Sequence, residues 1–491
     1  MMKIRFRNEP KITSNQNTRE LRGKLMYKVF GHYIPKTLLL LVIVESLILL
    51  TSIYAVSILA IGTSSPSTNH LFFPDAAMFC GVMLAVMATM GLYRRDLREQ
   101  LQSILLRVSL SFIISLTIFY VFYIFYPETF FHHNVLLICA LCAFLGVLVC
   151  RLCWYQQSDK YLKKKVMVVG VGERAQQLEG LRRKTDRFGV DIVGFVDMSG
   201  SDTQAISENR IVKRVNGERF NFAEFFKQNN VTEIIIALDE RRQNIPVDDI
   251  LDCKMHGIHV VDVNTFLERQ LGKINLDTLR PSSFIYSDGF SQNQLKSFSK
   301  RTLDIVVSLV MLTLALPLML LTALAICLES GCRGTVFYKQ ERMGLNNKTF
   351  NIFKFRSMQE NAENDGVARW AIKHDSRVTR VGSFIRKTRI DELPQLINVL
   401  KGDMSFVGPR PERPQFVNDL SNIIPFYTLR SHIKPGITGW AQICFPYGAS
   451  IEDAKEKLQY DLYYLKHHNI FLDILVLLQT AAVIVSFKGA R

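Results

Sequence analysis

The chain has 491 residues and a mass of 56.3 kDa, which exceeds one ordinary domain and predicts about three units of roughly 100 to 200 residues. Apolar residues make up 48% of it and the mean hydropathy is +0.12, which indicates an integral membrane protein instead of a soluble enzyme. The net charge of +16 suits anionic lipids or phosphorylated substrates. Nucleic acid is not expected as a partner, because no zinc-finger, RRM or helix-turn-helix signature accompanies the charge.

A polar, basic segment, residues 1–35, precedes four long apolar stretches. Each stretch can cross about 30 Å of hydrocarbon at ~1.5 Å per helical residue, so we predict a four-helix transmembrane bundle over residues 36–155. Glu45 lies inside the first stretch, where a carboxylate is a candidate for function; a partner for a neighbouring helix is the alternative. The stretches are about 36–61, 74–92, 104–126 and 134–152.

Lysine and arginine predict the orientation of this bundle, because short cytoplasmic loops retain positive charge. The N-terminal segment, the loop 94–98 and the exit 151–165 are basic, whereas the loops 62–73 and 127–133 hold neither Lys nor Arg. Both ends of the bundle are therefore expected in the cytoplasm. An odd number of scattered cysteines, nine in all, also predicts reduced thiols and cytoplasmic soluble parts.

Residues 163–280 predict a cytoplasmic Rossmann-like domain, in which apolar strands alternate with helical intervals. Gly170, Gly172 and Ala175 have the G-x-G-x-x-A spacing of a possible nucleotide loop between the first strand and a helix. The acidic residue expected about 20 positions later is not clearly placed, since Asp197 comes after its own strand. Glycines that serve only close helix-to-strand packing are the alternative. The predicted strands are 166–169, 192–196, 234–238 and 260–263.

Residues 303–328 form another apolar run, long enough to span a membrane. Basic residues flank it on both sides, Lys300 before it and Arg333 after it, so both flanks are expected in the cytoplasm. Pro317 lies near the middle, where it removes an intrahelical hydrogen bond and bends the helix. We therefore predict a re-entrant helix that enters the membrane, breaks at Pro317 and returns; a kinked fifth span is the alternative.

The segment after this run interleaves cations with turn-forming residues, an arrangement that holds phosphates on loops. Asp391 and Glu392 form an adjacent acidic pair among many arginines. Asp391 is placed to cap a helix over 392–400, with Pro394 tolerated in the first turn and Gly402 just beyond the end. A helix N-terminus also attracts phosphate, so this carboxylate can meet a bound pyrophosphate once a divalent cation screens the repulsion. The residues alone leave capping and catalysis open.

Four dense motifs make the C-terminal third recognisable: KQERMG, KFRSM, RVTRVGSFIRKTRIDELPQLINVLKGDMSFVGPRP and KPGITGWAQ. From about residue 300 to the end, the chain resembles the bacterial polyprenyl-phosphate glycosyl-1-phosphate transferases, the monotopic phosphoglycosyl transferases. The bundle and the middle unit are similar to those of the large members. The resemblance implies a membrane α-helical bundle, a cytoplasmic α/β Rossmann-like domain and a membrane-associated α/β catalytic domain, residues 296–491, with a re-entrant helix.

By this resemblance Asp391 is the nucleophile and Glu392 the second member of a catalytic dyad. For Asp461 a structural role is the alternative to a role at the substrate. Leu316 precedes Pro317 here, where the family usually has serine, so the helix break must depend on the proline and its surroundings. The candidates for binding substrate or phosphate are Lys354, Arg356, Arg386, Arg410 and Asp461.

The resemblance implies covalent catalysis in two steps. Asp391 attacks the β-phosphate of a UDP-sugar, UMP leaves, and polyprenyl (undecaprenyl) phosphate takes the hexose 1-phosphate from the aspartyl phosphosugar. Mg²⁺, with Asp391 as its protein ligand, neutralises the pyrophosphate. The expected partners are a UDP-sugar, polyprenyl phosphate and membrane lipids, and a homodimer is a possible assembly.

Such an enzyme is expected in the bacterial cytoplasmic (inner) membrane, with its catalytic domain on the cytoplasmic face, where it initiates exopolysaccharide, capsule or O-antigen assembly. One alternative is a membrane-anchored regulator that senses a nucleotide through the 170–175 loop and has no transferase activity; it leaves the C-terminal motifs unexplained. Another is an NAD-dependent sugar-modifying enzyme, although a Tyr-x-x-x-Lys pairing is not evident in the middle domain. The sequence does not reveal the hexose.

Overall fold

The structure is a computed structural model that divides into two compact units. One unit is built mainly from Cys153–Leu271, and the other mainly from Val42–Leu152 and Gly272–Arg491. Residues 1–25 of the basic N-terminal segment and the basic loop 94–98 lie outside the described residues. The structure describes residues 26–29, 32–61, 72–93, 101–125, 133–157, 164–179, 190–197, 206–207, 211–212, 226, 228–239, 247–277, 289–290, 294–331, 334–359, 377–445, 448 and 450–485.

Four apolar helices follow the N-terminal segment, as predicted from hydropathy. Of these helices, the first, third and fourth are long and apolar enough to cross a membrane, whereas the second has a shorter apolar part, Ala76–Thr89. Two short paired strands, β1 (Met26–Val29) and β2 (His32–Pro35), precede them. The helices are α1 (Lys36–Ile61), α2 (Phe72–Thr89), α3 (Leu101–Phe125) and α4 (His133–Gln157).

The bundle has one apolar core, to which all four helices contribute side chains such as Leu49, Met83, Phe112 and Ala143. Glu45 of α1 is fully buried in the bundle. Its carboxylate accepts hydrogen bonds from Arg151 Nε of α4 and from the Tyr93 hydroxyl, each at 2.5 Å. Because a buried carboxylate needs such partners, the structure supports the role of Glu45 as a tie between helices.

The Cys153–Leu271 unit contains a five-stranded parallel sheet in the order β5-β4-β3-β6-β7. The parallel α/β architecture predicted for this part is confirmed. The short strand β5 was not predicted, because two residues carry no periodicity that distinguishes them from a loop. The strands are β3 (Lys164–Val169), β4 (Val190–Val196), β5 (Ile211–Val212), β6 (Val231–Ile236) and β7 (His259–Asp262), and the described helices are α5 (Glu173–Glu179), α6 (Val247–Met255) and α7 (Val263–Leu271).

The predicted re-entrant segment belongs to a single helix, α8 (Gln294–Glu329), which contains Pro317. Helical structure continues across the proline, so the two halves are not separated by a loop; a proline removes only one intrahelical hydrogen bond. Leucines along this helix are largely exposed, among them Leu314, Leu320 and Leu324. By length and composition α8 can also cross a membrane, so the re-entrant course stays a prediction at this point.

The elements after α8 form the region predicted to be catalytic, which we call the catalytic region. In it an antiparallel hairpin is followed by short helices and a two-stranded parallel sheet. Leu462, Tyr463 and Leu472 are fully buried in its main core, so the C-terminal apolar stretch packs into this core. The elements are β8 (Phe337–Met343), β9 (Thr349–Phe355), α9 (Arg380–Lys387), α10 (Gln395–Lys401), β10 (Ser405–Val407), α11 (Pro414–Ile423), β11 (Gly436–Thr438), α12 (Trp440–Cys444), α13 (Ile451–His467) and α14 (Ile470–Val485), with 3₁₀ turns at Leu345–Asn347, Ile390–Glu392 and Tyr427–His432.

Candidate active site

The acidic pair lies on a 3₁₀ turn, Ile390–Glu392, between α9 and α10. Arg389 starts the turn with φ of 61°, in the left-handed region, and this reverses the chain after α9. The turn is closed by hydrogen bonds from the Glu392 amide to the Arg389 carbonyl and from the Leu393 amide to the Ile390 carbonyl. Asp391 and Glu392 are each only 8% exposed, so the turn presents two carboxylates to an interior site.

Of the two roles left open for Asp391, capping of a helix over 392–400 is not observed. The helix begins at Gln395, with Pro394 at the N-cap position and no side-chain cap. A capping carboxylate needs a free amide two or three residues later. The Leu393 amide is already bonded within the turn, and Pro394 has no N–H, so Asp391 has no amide to cap. The predicted helix end at Gly402 is confirmed by its left-handed φ of 94°.

Three cations from separate parts of the catalytic region lie close to the carboxylate of Glu392. Its Oε1 accepts hydrogen bonds from Arg410, at 2.7 Å, and from Lys354 Nζ of β9, at 3.1 Å. Arg389 lies 3.6 Å from the same oxygen. Burial alone raises the pKa of this carboxyl, but Arg410, Lys354 and Arg389 outweigh it and hold the pKa well below its usual range. Glu392 is therefore ionised and acts as the anion around which these cations are arranged.

Asp391 has the opposite electrostatic environment. Its Oδ1 is buried and makes no hydrogen bond to any described residue. Burial, followed by repulsion from Glu392, raises the pKa of Asp391 to about 6, although Lys354, Arg389 and Arg410 act against the rise. A buried carboxylate with an unbonded oxygen is costly unless a ligand completes it. Two adjacent carboxyls with pKa values pushed apart are typical of catalytic pairs.

The other predicted phosphate-binding residues lie in different surroundings. Arg386 is in the last turn of α9, and Arg356 follows β9, where its amide donates to the Val336 carbonyl at 2.9 Å. Among the contacts described for the dyad, neither side chain makes an ion pair with Asp391 or Glu392, in contrast to Lys354 and Arg410. Their roles at the phosphates stay predictions.

Asp461 is buried in α13 and forms an ion pair with Arg430 at 2.8 Å. Arg430 also donates to the Arg410 carbonyl at 3.0 Å and to the Tyr427 hydroxyl at 2.9 Å. Burial raises the pKa of Asp461 to about 6, with Arg430 opposing the rise. Asp461 therefore supports the Arg410 loop through Arg430. This is the structural role given above as the alternative to a role at the substrate.

Sequence reasoning missed two of these residues. Arg389 directly precedes the acidic pair, and its position within the RKTRIDE stretch was a signal that could have identified it. Arg430 lies about 20 residues after Arg410 in a stretch without a phosphate-loop pattern, so only the fold reveals that it binds the Arg410 carbonyl.

The predicted nucleotide loop lies at the end of β3 in the other unit. Gly170 has φ of 123°, which favours glycine, and Ala175 is fully buried in the unit's core. Gly172 approaches the Asp239 carboxylate so closely that a Cβ on it would lie 1.8 Å from Asp239 Oδ2. The loop thus has the close packing that was the alternative to a ligand site.

Comparison with known protein families gives two matches. The model of the bacterial sugar transferase family matches residues 295–487, which contain the acidic pair and all of α8 except its first residue. A model described as a CoA-binding domain matches residues 88–252. In the described parts of the chain, no group of three or more His, Cys, Asp or Glu residues is arranged to hold a metal ion.

Individual relatives carry different sugars in their names. The chain is 42% identical over 239 residues to the Aeromonas hydrophila UDP-N-acetylgalactosamine-undecaprenyl-phosphate N-acetylgalactosaminephosphotransferase, covering 49% of this chain and 55% of that one. It is 32% identical to the Escherichia coli UDP-glucose:undecaprenyl-phosphate glucose-1-phosphate transferase, covering 70% and 73%. It is also 32% identical to the Salmonella typhimurium undecaprenyl-phosphate galactose phosphotransferase, covering 67% and 69%.

Proposed function

This chain belongs to the bacterial sugar transferases, the family of polyprenyl-phosphate glycosyl-1-phosphate transferases, and we propose that it transfers a hexose 1-phosphate from a UDP-sugar to undecaprenyl phosphate, releasing UMP. The observation that carries the proposal is the buried Asp391–Glu392 pair, in which one carboxylate is held by three cations and the other has an unbonded oxygen. A regulator without transferase activity is not favoured, because the matched relatives are named as transferases.

The proposed reaction has two displacements at one phosphorus atom. A carboxylate oxygen of Asp391 forms a bond to the β-phosphorus of the UDP-sugar, and the bond from that phosphorus to the bridging oxygen breaks, so that UMP leaves. An oxygen of undecaprenyl phosphate then attacks the same phosphorus, and the bond to Asp391 breaks. The carboxylate is regenerated and the lipid carries a diphosphate-linked sugar. The acceptor is already an anion, so the second step needs no base.

The cations around Glu392 are placed to stabilise negative charge in this reaction. Phosphoryl transfer depends on positive groups that meet the charge of the transferred phosphate and the leaving group. Arg410, Lys354 and Arg389 converge within 3.6 Å of one carboxylate oxygen. Glu392 keeps them together before the substrate arrives and moderates their combined charge, so that the pyrophosphate meets groups already in position.

We further propose that Mg²⁺ binds at this site. The Oδ1 atom of Asp391 is a buried acceptor without a donor, which is what a hard cation requires of a protein ligand. One carboxylate is sufficient, since Mg²⁺ at phosphate sites takes few protein ligands and completes its shell with substrate oxygens and water. When bound, the ion neutralises charge on the pyrophosphate.

We further propose that α8 is re-entrant and holds the site at the cytoplasmic membrane surface. Both ends of the helix contact the same catalytic region. Near its start, Arg301 donates to the Val399 and Leu400 carbonyls; at its end, Glu329 accepts from the Val381 amide at 3.1 Å. A spanning helix would place its ends on opposite sides of the bilayer, about 30 Å apart, where one folded region could not bind both.

Cysteine labelling can test this topology in a cysteine-free variant. We expect a membrane-impermeant thiol reagent, added to intact cells, to leave cysteines at Ser297 and Asn346 unlabelled, because both flanks of α8 face the cytoplasm. Cysteines at Ser65 and His132, in loops outside the described residues, serve as periplasmic controls and should be labelled. Labelling at Asn346 but not at Ser297 would establish a spanning helix.

The pKa of Asp391 predicts an acid limit to activity. The nucleophile must be ionised, and its pKa in the free enzyme is raised to about 6, compared with about 3.9 for an ordinary aspartate. We therefore expect kcat/KM for the UDP-sugar to fall as the pH decreases through about 6, since kcat/KM reports the free enzyme. A pH profile that stays level down to about pH 4.5 would contradict a raised pKa at the nucleophile.

The proposed function is tested by incubating the purified enzyme with Mg²⁺ and a panel of UDP-sugars, without lipid. With the correct donor, we expect release of about one equivalent of UMP per active site and a hexose phosphate adduct on the peptide that contains Asp391. Added undecaprenyl phosphate should discharge the adduct. Intersecting initial-rate plots, with no UMP released until lipid is present, would support direct transfer in a ternary complex instead.

The proposed product is a first lipid-linked sugar for exopolysaccharide, capsule or O-antigen assembly at the bacterial inner membrane. The relatives are named for N-acetylgalactosamine, glucose and galactose, so the donor panel must contain the UDP derivatives of all three sugars. The donor that gives the adduct identifies the hexose.

A further inference from the structure

The first turns of α8 contact both elements that bring the catalytic groups together. Arg301 donates through its two terminal nitrogens to the Val399 carbonyl, at 2.6 Å, and to the Leu400 carbonyl, at 2.7 Å. These carbonyls belong to the last turn of α10, where helix carbonyls carry partial negative charge. The Val399 carbonyl also accepts from the Gly402 amide at 3.0 Å. The other end of α10 follows the Asp391–Glu392 turn by two residues.

The same part of α8 also binds β10, which leads into the Arg410 loop. Lys300 Nζ donates to the Val407 carbonyl at 2.9 Å. One turn later, Asp304 Oδ1 accepts from the Ser405 hydroxyl at 2.9 Å and from the Phe406 amide at 2.8 Å. Asp304 is almost completely buried. All three residues of β10 are therefore bonded to α8, and Arg410 lies three residues beyond the strand.

We propose that Lys300, Arg301 and Asp304 are positioning residues that set the distance between the acidic pair and Arg410. This inference rests on the proposed transferase function and adds to it. The acidic pair and Arg410 meet at 2.7 Å, yet they lie on different elements whose shared support is α8. Displacement of reacting groups by about 1 Å can cost on the order of 100-fold in rate, so a small loosening at the support has a large kinetic effect.

The test compares Arg301→Lys with Lys296→Gln. Lysine keeps the positive charge but has a single nitrogen and lacks the planar fork that reaches two carbonyls. Lys296 is exposed on the same helix, and its replacement removes a cation without touching α10 or β10. For Arg301→Lys we expect kcat to decrease at least about 10-fold, with KM for the UDP-sugar changed less than about twofold. Lys296→Gln should match the wild type.

The difference between kcat and KM is the readout, and kcat is calculated per folded enzyme so that loss of folded protein does not lower it. The folded fraction of each variant is measured by thermal unfolding. A wild-type kcat in Arg301→Lys would overturn the positioning role. Wild-type enzyme without turnover of any donor would instead refute the proposed function.

A second inference concerns the other unit and stands independently of the first. Ligands of parallel α/β sheets bind where the strand order reverses, which here is between β3 and β6. Asp239, just after β6, occupies that position. Its carboxylate accepts hydrogen bonds from the Glu173 amide at 2.8 Å and the Arg174 amide at 3.0 Å. These amides begin the helix after the glycine loop, the place that a nucleotide phosphate takes in this fold.

The glycines are explained by the same contacts. A Cβ on Gly170 would lie 2.5 Å from the Ala237 carbonyl oxygen, and a Cβ on Gly172 would meet Asp239. Glycine is thus required at both positions, because neighbouring parts of the chain lie too close to leave room for a Cβ. A phosphate at this position would compete for the two amides and would be repelled by the carboxylate. The residues therefore do not fit the nucleotide ligand that the matched CoA-binding model implies.

We infer that this unit binds neither CoA nor a dinucleotide at the glycine loop, and that the Asp239 carboxylate occupies the place of a phosphate there. Calorimetric titration of the full-length protein with CoA and with NAD should give no saturable binding, in the presence of excess UDP to block the catalytic site. Saturable binding of either ligand under these conditions would overturn the inference.

Hydrogen exchange tests the role of the carboxylate directly. Asp239→Asn keeps the shape of the side chain but removes the charge, which weakens its hydrogen bonds to the two amides. We expect faster exchange at Glu173 and Arg174 in this variant, while the β3 amides keep their protection. Unchanged exchange at Glu173 and Arg174 would contradict this role of the Asp239 carboxylate.

Discussion

The variant Asp391→Asn is expected to lose transfer by at least about 1,000-fold in kcat, because an amide cannot form the acyl phosphate. The fold should not be affected. Asp391 Oδ1 makes no hydrogen bond to a described residue, so an amide of nearly the same shape removes no structural contact there. The measurement is the rate of UMP release, in membranes and with purified protein, together with the mass of the peptide that contains residue 391.

Stability distinguishes this result from simple misfolding. The pKa of Asp391 is raised in the folded protein, so the folded state binds more protons than the unfolded state between about pH 4 and 6. Stability therefore decreases as the pH rises through this range, and the ionised carboxylate is a cost at neutral pH. Asparagine removes that cost, so the thermal midpoint of Asp391→Asn at pH 7 should not be lower than that of the wild type.

A carboxylate outside the site provides the matched control. Asp419 is exposed on α11, and Asp419→Asn makes the same chemical change in the same region. We expect wild-type activity from it. Substantial activity in Asp391→Asn would show that the nucleophile has been assigned to the wrong residue.

Glu392→Gln is expected to reduce kcat by about 100-fold or more, for a different physical reason. Glutamine offers no negative charge to Arg410, Lys354 and Arg389, which all lie within 3.6 Å of Glu392 Oε1. These cations stay near Asp391 but are no longer fixed by one shared carboxylate oxygen, so they meet the pyrophosphate with less precise geometry. Unlike Asp391→Asn, this variant should be less stable than the wild type, because breaking a buried ion pair leaves uncompensated charge. The measurements are kcat and the thermal midpoint.

The pH dependence of kcat/KM tests whether Glu392 repels Asp391. The informative part is the acid limb, where activity is lost as the pH decreases. Repulsion by Glu392 is one cause of the raised pKa of Asp391. Its removal should lower that pKa, so the residual kcat/KM of Glu392→Gln should persist to lower pH than in the wild type. Glu341→Gln, at an exposed position of β8, should change neither the rate nor the profile. An acid limb that moves to higher pH in Glu392→Gln would contradict the electrostatic coupling of the pair.

The apolar helices, the parallel sheet and the acidic pair were all predicted from the sequence. The apolar helices α1 to α4 and α8 were predictable because segments that enter a bilayer are rich in apolar residues over many positions, and hydropathy measures this directly. The parallel sheet around β3 was predictable because buried strands are short apolar runs between turn residues. The acidic pair and most of its cations were found through dense local motifs, in which neighbouring residues serve one site.

Which of these groups come into contact depends on the packing of elements that are distant in the sequence. Lys354, Arg389 and Arg410 are separated by 21 to 56 residues. No spacing rule predicts their convergence on Glu392, because it depends on packing between β9, the 3₁₀ turn and the loop after β10. For the same reason Asp391 does not cap a helix, which was one of the two roles left open for it. Local propensity favoured a helix start at that residue, but the left-handed Arg389 and the following Pro394 produced a separate turn that left one carboxylate oxygen unbonded.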